Sequence, residues 1–160
     1  MASSDTLAVW GPAAAIPPAT DYATLDVRNG HVILDFDDST AESVSFLGLL
    51  PSYYGGGGMT AILTWTVTSD SDTGHQVGWN VDVEQHPVGF DLDSDNFTTA
   101  AQAFQNVASA PGELKRATMP LSGTSAFAAG ESFRLRVSRL AADDSAAGDA
   151  ELLVVELRES

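Results

Sequence analysis

Two segments alternate between apolar and polar side chains, and that pattern constrains the fold more than any other feature of the chain. In 59–68, Met59, Ala61, Leu63, Trp65 and Val67 fall on one side, with Thr60, Thr64, Thr66 and Thr68 mostly opposite. In 77–84, Val77, Trp79, Val81 and Val83 fall on one side, with Asn80, Asp82 and Glu84 opposite. Successive side chains of a strand point to opposite faces, so a period of two marks strands that bury one face and leave the other polar. Such strands need a second layer to cover their apolar side.

The same period recurs along most of the chain. Thr24–Arg28 and His31–Phe36 are β-rich runs joined by Asn29-Gly30, two residues that tolerate the positive φ of a tight hairpin turn. Glu42–Leu50 alternates through Val44 and Phe46. Pro51-Ser52-Tyr53-Tyr54 and the four glycines at 55–58 read as a loop. Thr98–Ser109 reads as a strand, although Ala101, Phe104 and Val107, spaced by three, leave a short helix open. Arg116–Leu121 and Ser132–Leu140 are further strands, Ser125–Ala129 is one helical turn, and Ala150–Arg158 is the last strand. Turn-rich segments separate about eight strands with almost no helix, which predicts an all-β fold, an antiparallel sandwich or barrel. Residues 1–20 differ. Trp10-Gly11-Pro12 and Ile16-Pro17-Pro18 interrupt an alanine stretch, and proline removes donors and fixes φ. This segment reads as an extended arm that docks on its own domain or on a neighbour, followed by one domain over 21–160.

Composition removes whole classes of function. The chain has 22 acidic and 7 basic residues, a net charge of −15, so phosphate backbones repel it and nucleic acid is excluded as a partner. There are no cysteines, hence no disulfide, thiolate-metal or thiol chemistry. The first residues lack a basic stretch and an apolar stretch, so no export signal is expected. No apolar run approaches the roughly 18 residues of a membrane helix, and no membrane partner is expected. The acid excess is mostly aspartate and the only lysine is Lys115, a balance that predicts a halophilic or marine source.

Acidic, histidine and aromatic side chains supply the candidate sites. Asp91, Asp93 and Asp95 have the spacing of a calcium loop's start, but Asn96 and Gln102 stand where a hand-type loop has glycine and glutamate, leaving a weak metal candidate. Asp35 and Asp37 share a strand face, and paired carboxylates can serve sugar hydrolysis only at set separations across a cleft. A strand end entering a turn explains them with less. His31, His75 and His86 show no ligand spacing. No nucleophile elbow or phosphate loop occurs, so neither catalysis nor a cofactor is expected. Trp65 and Trp79 belong to the core. Tyr53 and Tyr54 flank the glycine run and are the obvious exposed aromatic pair, fit for a glycan or a neighbouring subunit.

Three landmarks carry a resemblance. They are Asp21-Tyr22-Ala23-Thr24-Leu25-Asp26-Val27-Arg28-Asn29-Gly30-His31-Val32-Ile33-Leu34-Asp35-Phe36-Asp37, then Leu50-Pro51-Ser52-Tyr53-Tyr54-Gly55-Gly56-Gly57, and Ala129-Gly130-Glu131-Ser132-Phe133-Arg134-Leu135-Arg136-Val137-Ser138-Arg139 with Ala147-Gly148-Asp149-Ala150-Glu151-Leu152. Together they resemble a family of small phage-encoded virion proteins with a jelly-roll fold. The resemblance implies a jelly-roll β-sandwich and a structural role on the virion of a tailed virus: capsid decoration, or a neck, tail or fibre part. It implies self-assembly, as a homotrimer, and the major capsid protein or another virion protein as partner, with Trp10, Pro12 and Ile16 gripping a neighbour. The alternative on the same fold is a carbohydrate-binding module or adhesin using Tyr53, Tyr54 and the acidic loops toward a host surface glycan. If the acidity is an adaptation to salt, the thermal midpoint rises between low and molar salt; a midpoint that stays level or falls contradicts it.

Overall fold

The computed structural model describes residues 4–160. Ten strands form two antiparallel sheets: β1 (Thr6–Trp10), β2 (Thr24–Arg28), β3 (His31–Phe36), β4 (Ser43–Leu49), β5 (Met59–Val67), β6 (Gln76–His86), β7 (Thr98–Asn106), β8 (Lys115–Leu121), β9 (Ser132–Arg139) and β10 (Ala150–Glu159). The larger sheet runs β2-β3-β10-β5-β8, with β1 also on β10, and the smaller runs β4-β9-β6-β7. They face each other as a jelly-roll sandwich. Thr98–Asn106 is a strand, as expected, and the helical turn expected over 125–129 is a short 3-10 turn at Thr124–Ala126.

The alternating segments become the centres of the two layers. Trp65 from β5 and Trp79 from β6 are both fully buried, their rings 5.9 Å apart at 66°. Phe36 meets Trp79 edge-on at 5.3 Å. Each such large apolar side chain contributes about 1.5–3 kcal/mol on full burial, which fixes the register of both strands. At the β2–β3 turn, Asn29 and Gly30 have φ of 47° and 79°, the double positive φ that a two-residue hairpin requires. β10 is the central strand of its sheet. β5 pairs along its length on one side, while on the other β3 holds Ala150–Leu152 and β1 holds Val155–Arg158.

Of the two outcomes expected of the 1–20 arm, its described residues show docking on the chain's own domain, which corrects the expectation that Trp10, Pro12 and Ile16 grip a neighbour. Leu7 and Trp10 are buried, and the Trp10 ring stacks on Phe46 at 5.7 Å and meets Phe133 edge-on at 6.0 Å. Its indole N–H donates to the Leu47 carbonyl. A Cβ at Gly48 would lie 2.5 Å from the Phe133 ring and 2.9 Å from the Trp10 ring, so only glycine admits both. Pro12 opens a 3-10 turn, and Ile16 bridges to Ser45 at the edge of β4 through both backbone bonds. The aromatic pocket left by Phe46 and Phe133 is what draws the segment inward. Trp10→Ala is therefore expected to lower unfolding free energy by about 3–5 kcal/mol, measured by urea denaturation. A variant with the wild-type midpoint would show that the strand docks without its anchor.

Candidate functional site

The outward face of the smaller sheet carries the richest chemistry of the described residues. Its rungs follow from register. Ser45, Arg136, Asp82 and Thr99 lie across one row; Ser43, Ser138, Asn80 and Gln102 across the next; Leu47, Arg134 and Glu84 across the row on the other side. The polar partners of β6 and the arginines of β9, each half of an alternating strand, meet here as ion pairs. Arg136 donates to Asp82 through Nε at 2.9 Å and Nη2 at 2.6 Å. Asn80 donates to Asp82 Oδ1 at 2.9 Å and accepts from Gln102 Nε2 at 3.0 Å. Glu84 is fully buried; burial alone would raise its pKa, but bonds from Arg134, the Asn96 N–H and His86 outweigh it and hold the carboxyl at about 2. The Phe97 ring lies against both guanidinium groups, 4.7 Å from Arg134 and 4.2 Å from Arg136. The locked network keeps these planar groups in one orientation, so their free edges face solvent preformed.

Beside this ladder sits an aromatic that sequence reasoning did not single out. Phe104 on β7 pairs with Gly78 on β6, and its ring lies across the glycine: a Cβ there would stand 2.7 Å from it. Backed by bare backbone on one side, Phe104 is 41% exposed. Gln102, also exposed, precedes it on the same face. An aromatic ring flanked by oriented amide, carboxylate and guanidinium edges can stack an apolar ring face and bond paired hydroxyls. The signal available in the sequence was Gly78 itself, an isolated glycine inside an alternating strand, which marks a close approach.

The expected aromatic pair does not form a platform. Tyr54 is 6% exposed; its hydroxyl donates to the Thr124 carbonyl at 2.9 Å and accepts from the Gly58 N–H at 3.2 Å. Its ring thus closes the glycine loop rather than meeting a ligand. Tyr53 stays exposed, with its hydroxyl on the Thr6 carbonyl. Asp91, Asp93 and Asp95 are exposed but do not converge: Asp91 accepts from the Asp93 N–H in a local turn, while Asp95 pairs with Arg134 at 2.7 Å. The carboxylates that do converge are Asp37, Asp38 and Asp149, whose oxygens come within 4.8 Å of one another where β10 begins. They serve the loops. Asp37 accepts from the Ser39 hydroxyl and from the Ser39 and Thr40 N–H groups, which hold it down at about 2, and Asp38 accepts from Gly148 N–H. Burial raises Asp149, and Asp37 and Asp38 raise it further. His31, His75 and His86 lie apart; His75 pairs with Asp70 and His86 with Glu84.

Asp35 and Asp37 are also separated in role, because β3 ends at Phe36. Asp35 faces Glu151 across the strand pair, and its Oδ1 is buried without a partner. Burial, then the charges of Glu151, Asp149 and Asp26, push its pKa up to about 7. Glu151 is instead matched by the Arg28 guanidinium.

No protein-family model matches the chain, and no curated protein matches it in sequence. Its likeness to solved structures is a likeness of fold. The chain superposes on CBM35 of Abf62 from Cellvibrio japonicus with a TM-score of 0.55 and 9% identity, covering 94% of this chain and 91% of that one. It matches a family 29 carbohydrate-binding module from Piromyces equi with a TM-score of 0.50 and 14% identity, over 98% and 88% of the two chains. Against the tandem CBM22-1–CBM22-2 domain of Xyn10C from Paenibacillus barcinonensis the TM-score is 0.50 and the identity 13%, over 99% of this chain and 50% of that one.

The Asp35 geometry sets a pH dependence. Its folded pKa lies above the unfolded value of 3.8, so its contribution is fully present below that value and is lost as pH rises through about 7. Asp35→Asn, which cannot ionise, is expected to be more stable than wild type at pH 8, with the difference vanishing toward pH 4. Urea midpoints at the two pH values measure it; an equal difference at both would mean the effect is not ionisation.

Proposed function

We propose that the protein is a non-catalytic carbohydrate-binding module and that the outward face of β4-β9-β6-β7 is its glycan platform. The observation that carries this reading is Phe104 lying across Gly78 beside the locked network of Gln102, Asn80, Asp82 and Arg136. A pyranose has an apolar face of C–H groups and a rim of hydroxyls. The exposed ring takes the first, and the free edges of the amide and guanidinium groups take the second. The likeness in fold to carbohydrate-binding modules supports the reading.

Charge narrows the ligand. The platform's two arginines are matched by Asp82, Glu84 and Asp95, while the molecule as a whole carries −15. A polyanionic glycan would be repelled at long range without gaining an unpaired cation at the site. The ligand is a neutral polysaccharide. The virion role implied by the sequence landmarks is compatible with such a face, since an adhesin binds host glycans, but the face is the same for either setting.

Affinity electrophoresis in gels of neutral soluble polysaccharides (xylan, mixed-linkage glucan, mannan, galactan and arabinan) tests the proposal. Retardation is expected in at least one, with Phe104→Ala weakening it about tenfold or more, near 1.4 kcal/mol, and Tyr53→Ala leaving it unchanged. Because Phe104 is exposed on an edge strand, the variant should keep the wild-type circular dichroism. Retardation in none of the gels, or undiminished in Phe104→Ala, would overturn the platform.

A further inference from the structure

We infer a second sugar site, separate from the platform, in the cleft between the end of β6, the start of β7 and the turn after β8. The cleft measures about 250 Å³. Cavities that take drug-sized ligands run to about 300–1,000 Å³, so this one fits a single ring or a short polyol. Its base is apolar: Val83 and Phe127 line it and are 4% and 7% exposed. Its walls are neutral and polar, from Gln85, Asn96, Thr99 and Ser122. No ionisable side chain lines it, although the chain has 22 acidic residues.

What distinguishes this cleft is hydrogen-bonding capacity left open. Gln85 uses its amide N–H₂ on Glu131 and on the Ala126 carbonyl, which fixes the side chain and leaves Oε1 to accept. Ser122 donates its hydroxyl to the Ala100 carbonyl at 2.9 Å, which leaves its oxygen lone pairs. Asn96 is pinned through its backbone N–H to Glu84 at 2.6 Å, while its side-chain amide has no partner among the described residues. The Thr99 hydroxyl has none either. Donors and acceptors of both kinds thus converge on one small volume with an apolar base. Hydroxyl groups are the ligand groups that both donate and accept, and a neutral lining selects a neutral ligand. The larger cavity on the opposite sheet, about 280 Å³, differs in its lining, which includes the ionisable Arg28 and His31. There Arg28 is held by Glu151 and the Val67 carbonyl.

Thr99 lies opposite Asp82 on β7, the strand that also carries Gln102 and Phe104. One strand therefore serves both sites: an open face for the body of a glycan and a half-open cleft for one sugar unit, its chain end. The ligand class rests on the glycan-binding reading; the cleft borders the platform at Thr99 but contains neither Phe104 nor Gln102, on which the platform rests.

The test is an amide-shift titration of the isotopically labelled full chain with free xylose, glucose, galactose, mannose and arabinose in turn. At least one sugar should move the amides of Asn96–Thr99 and Ser122–Gly123 saturably. Thr99→Trp, which fills the mouth, and Asn96→Ala, which removes one amide without adding bulk, should each weaken that response about tenfold or more. Phe104→Ala should leave it intact. If no sugar moves these amides while Phe104-dependent polysaccharide retardation persists, the cleft is wrong and the platform stands. If neither responds, both fall together. A response that survives Thr99→Trp and Asn96→Ala also overturns the cleft.

Discussion

The guanidinium of Arg139 is the interaction on which the closure of the sandwich depends. It is the last residue of β9 and is fully buried. It donates to Asp144 through Nε and Nη2 at 2.8 and 3.1 Å, and to the carbonyls of Phe36, Gly148 and Ala146 at 3.1, 2.8 and 2.9 Å. A buried charge is tolerated only when every donor is matched, and here all are directed. One side chain thereby ties the smaller sheet to the end of β3 in the larger one and shapes the whole 140–149 connection. That connection delivers Ala150 into its pairing with Phe36 and Val67, and so starts the central strand in register. Deleting the guanidinium would leave the buried Asp144 carboxylate with its charge uncompensated and only the Gly78 N–H as donor, a loss of about 3–5 kcal/mol in comparable pairs.

With the layers fixed in this way, the two outward faces are free to differ. The larger sheet turns Asp35 and Glu151 toward each other, and Arg28 neutralises only one of them. The smaller sheet matches its charges row by row, Arg136 with Asp82 and Arg134 with Glu84 and Asp95. Matched charges hold side chains still, and a still face with no unpaired cation is what recognition of neutral hydroxyls requires. The locked ladder and the ring across Gly78 are therefore one device: rigid polar edges beside an apolar plate.

Strands and core were legible because alternation is a local property. Trp65 and Trp79 declare their burial within nine-residue windows, and Asn29-Gly30 declares its turn in two. Pairing is not local. Nothing within Thr6–Trp10 reveals that Ala8 will sit opposite Leu157, and so the proline punctuation around it suggested an extended arm with its docking surface left open. Tyr54 looked exposed because it adjoins glycines, but its hydroxyl answers to Thr124, seventy residues away. The site failed to show for the same reason. Asp82 and Glu84 alternate visibly on one strand and Arg134 and Arg136 on another, yet only the register of β6 against β9 makes them a ladder. Gly78 was the one local clue, and it gains meaning only once Phe104 is known to lie opposite. Fold likeness to carbohydrate-binding modules agrees with the sandwich read from alternation and is silent on the landmarks that resemble virion proteins.

Hydroxyl-radical footprinting, with and without a saturating neutral oligosaccharide taken from whichever polysaccharide retards the protein, reads side-chain accessibility directly. Phe104 and Tyr53 start from comparable exposure, at 41% and 58%, on different parts of the surface. If the smaller sheet is the glycan platform, the oligosaccharide protects Phe104 and leaves Tyr53 as reactive as in the free protein. Protection of Tyr53 with Phe104 unchanged would place the ligand at the glycine loop instead and contradict the central claim.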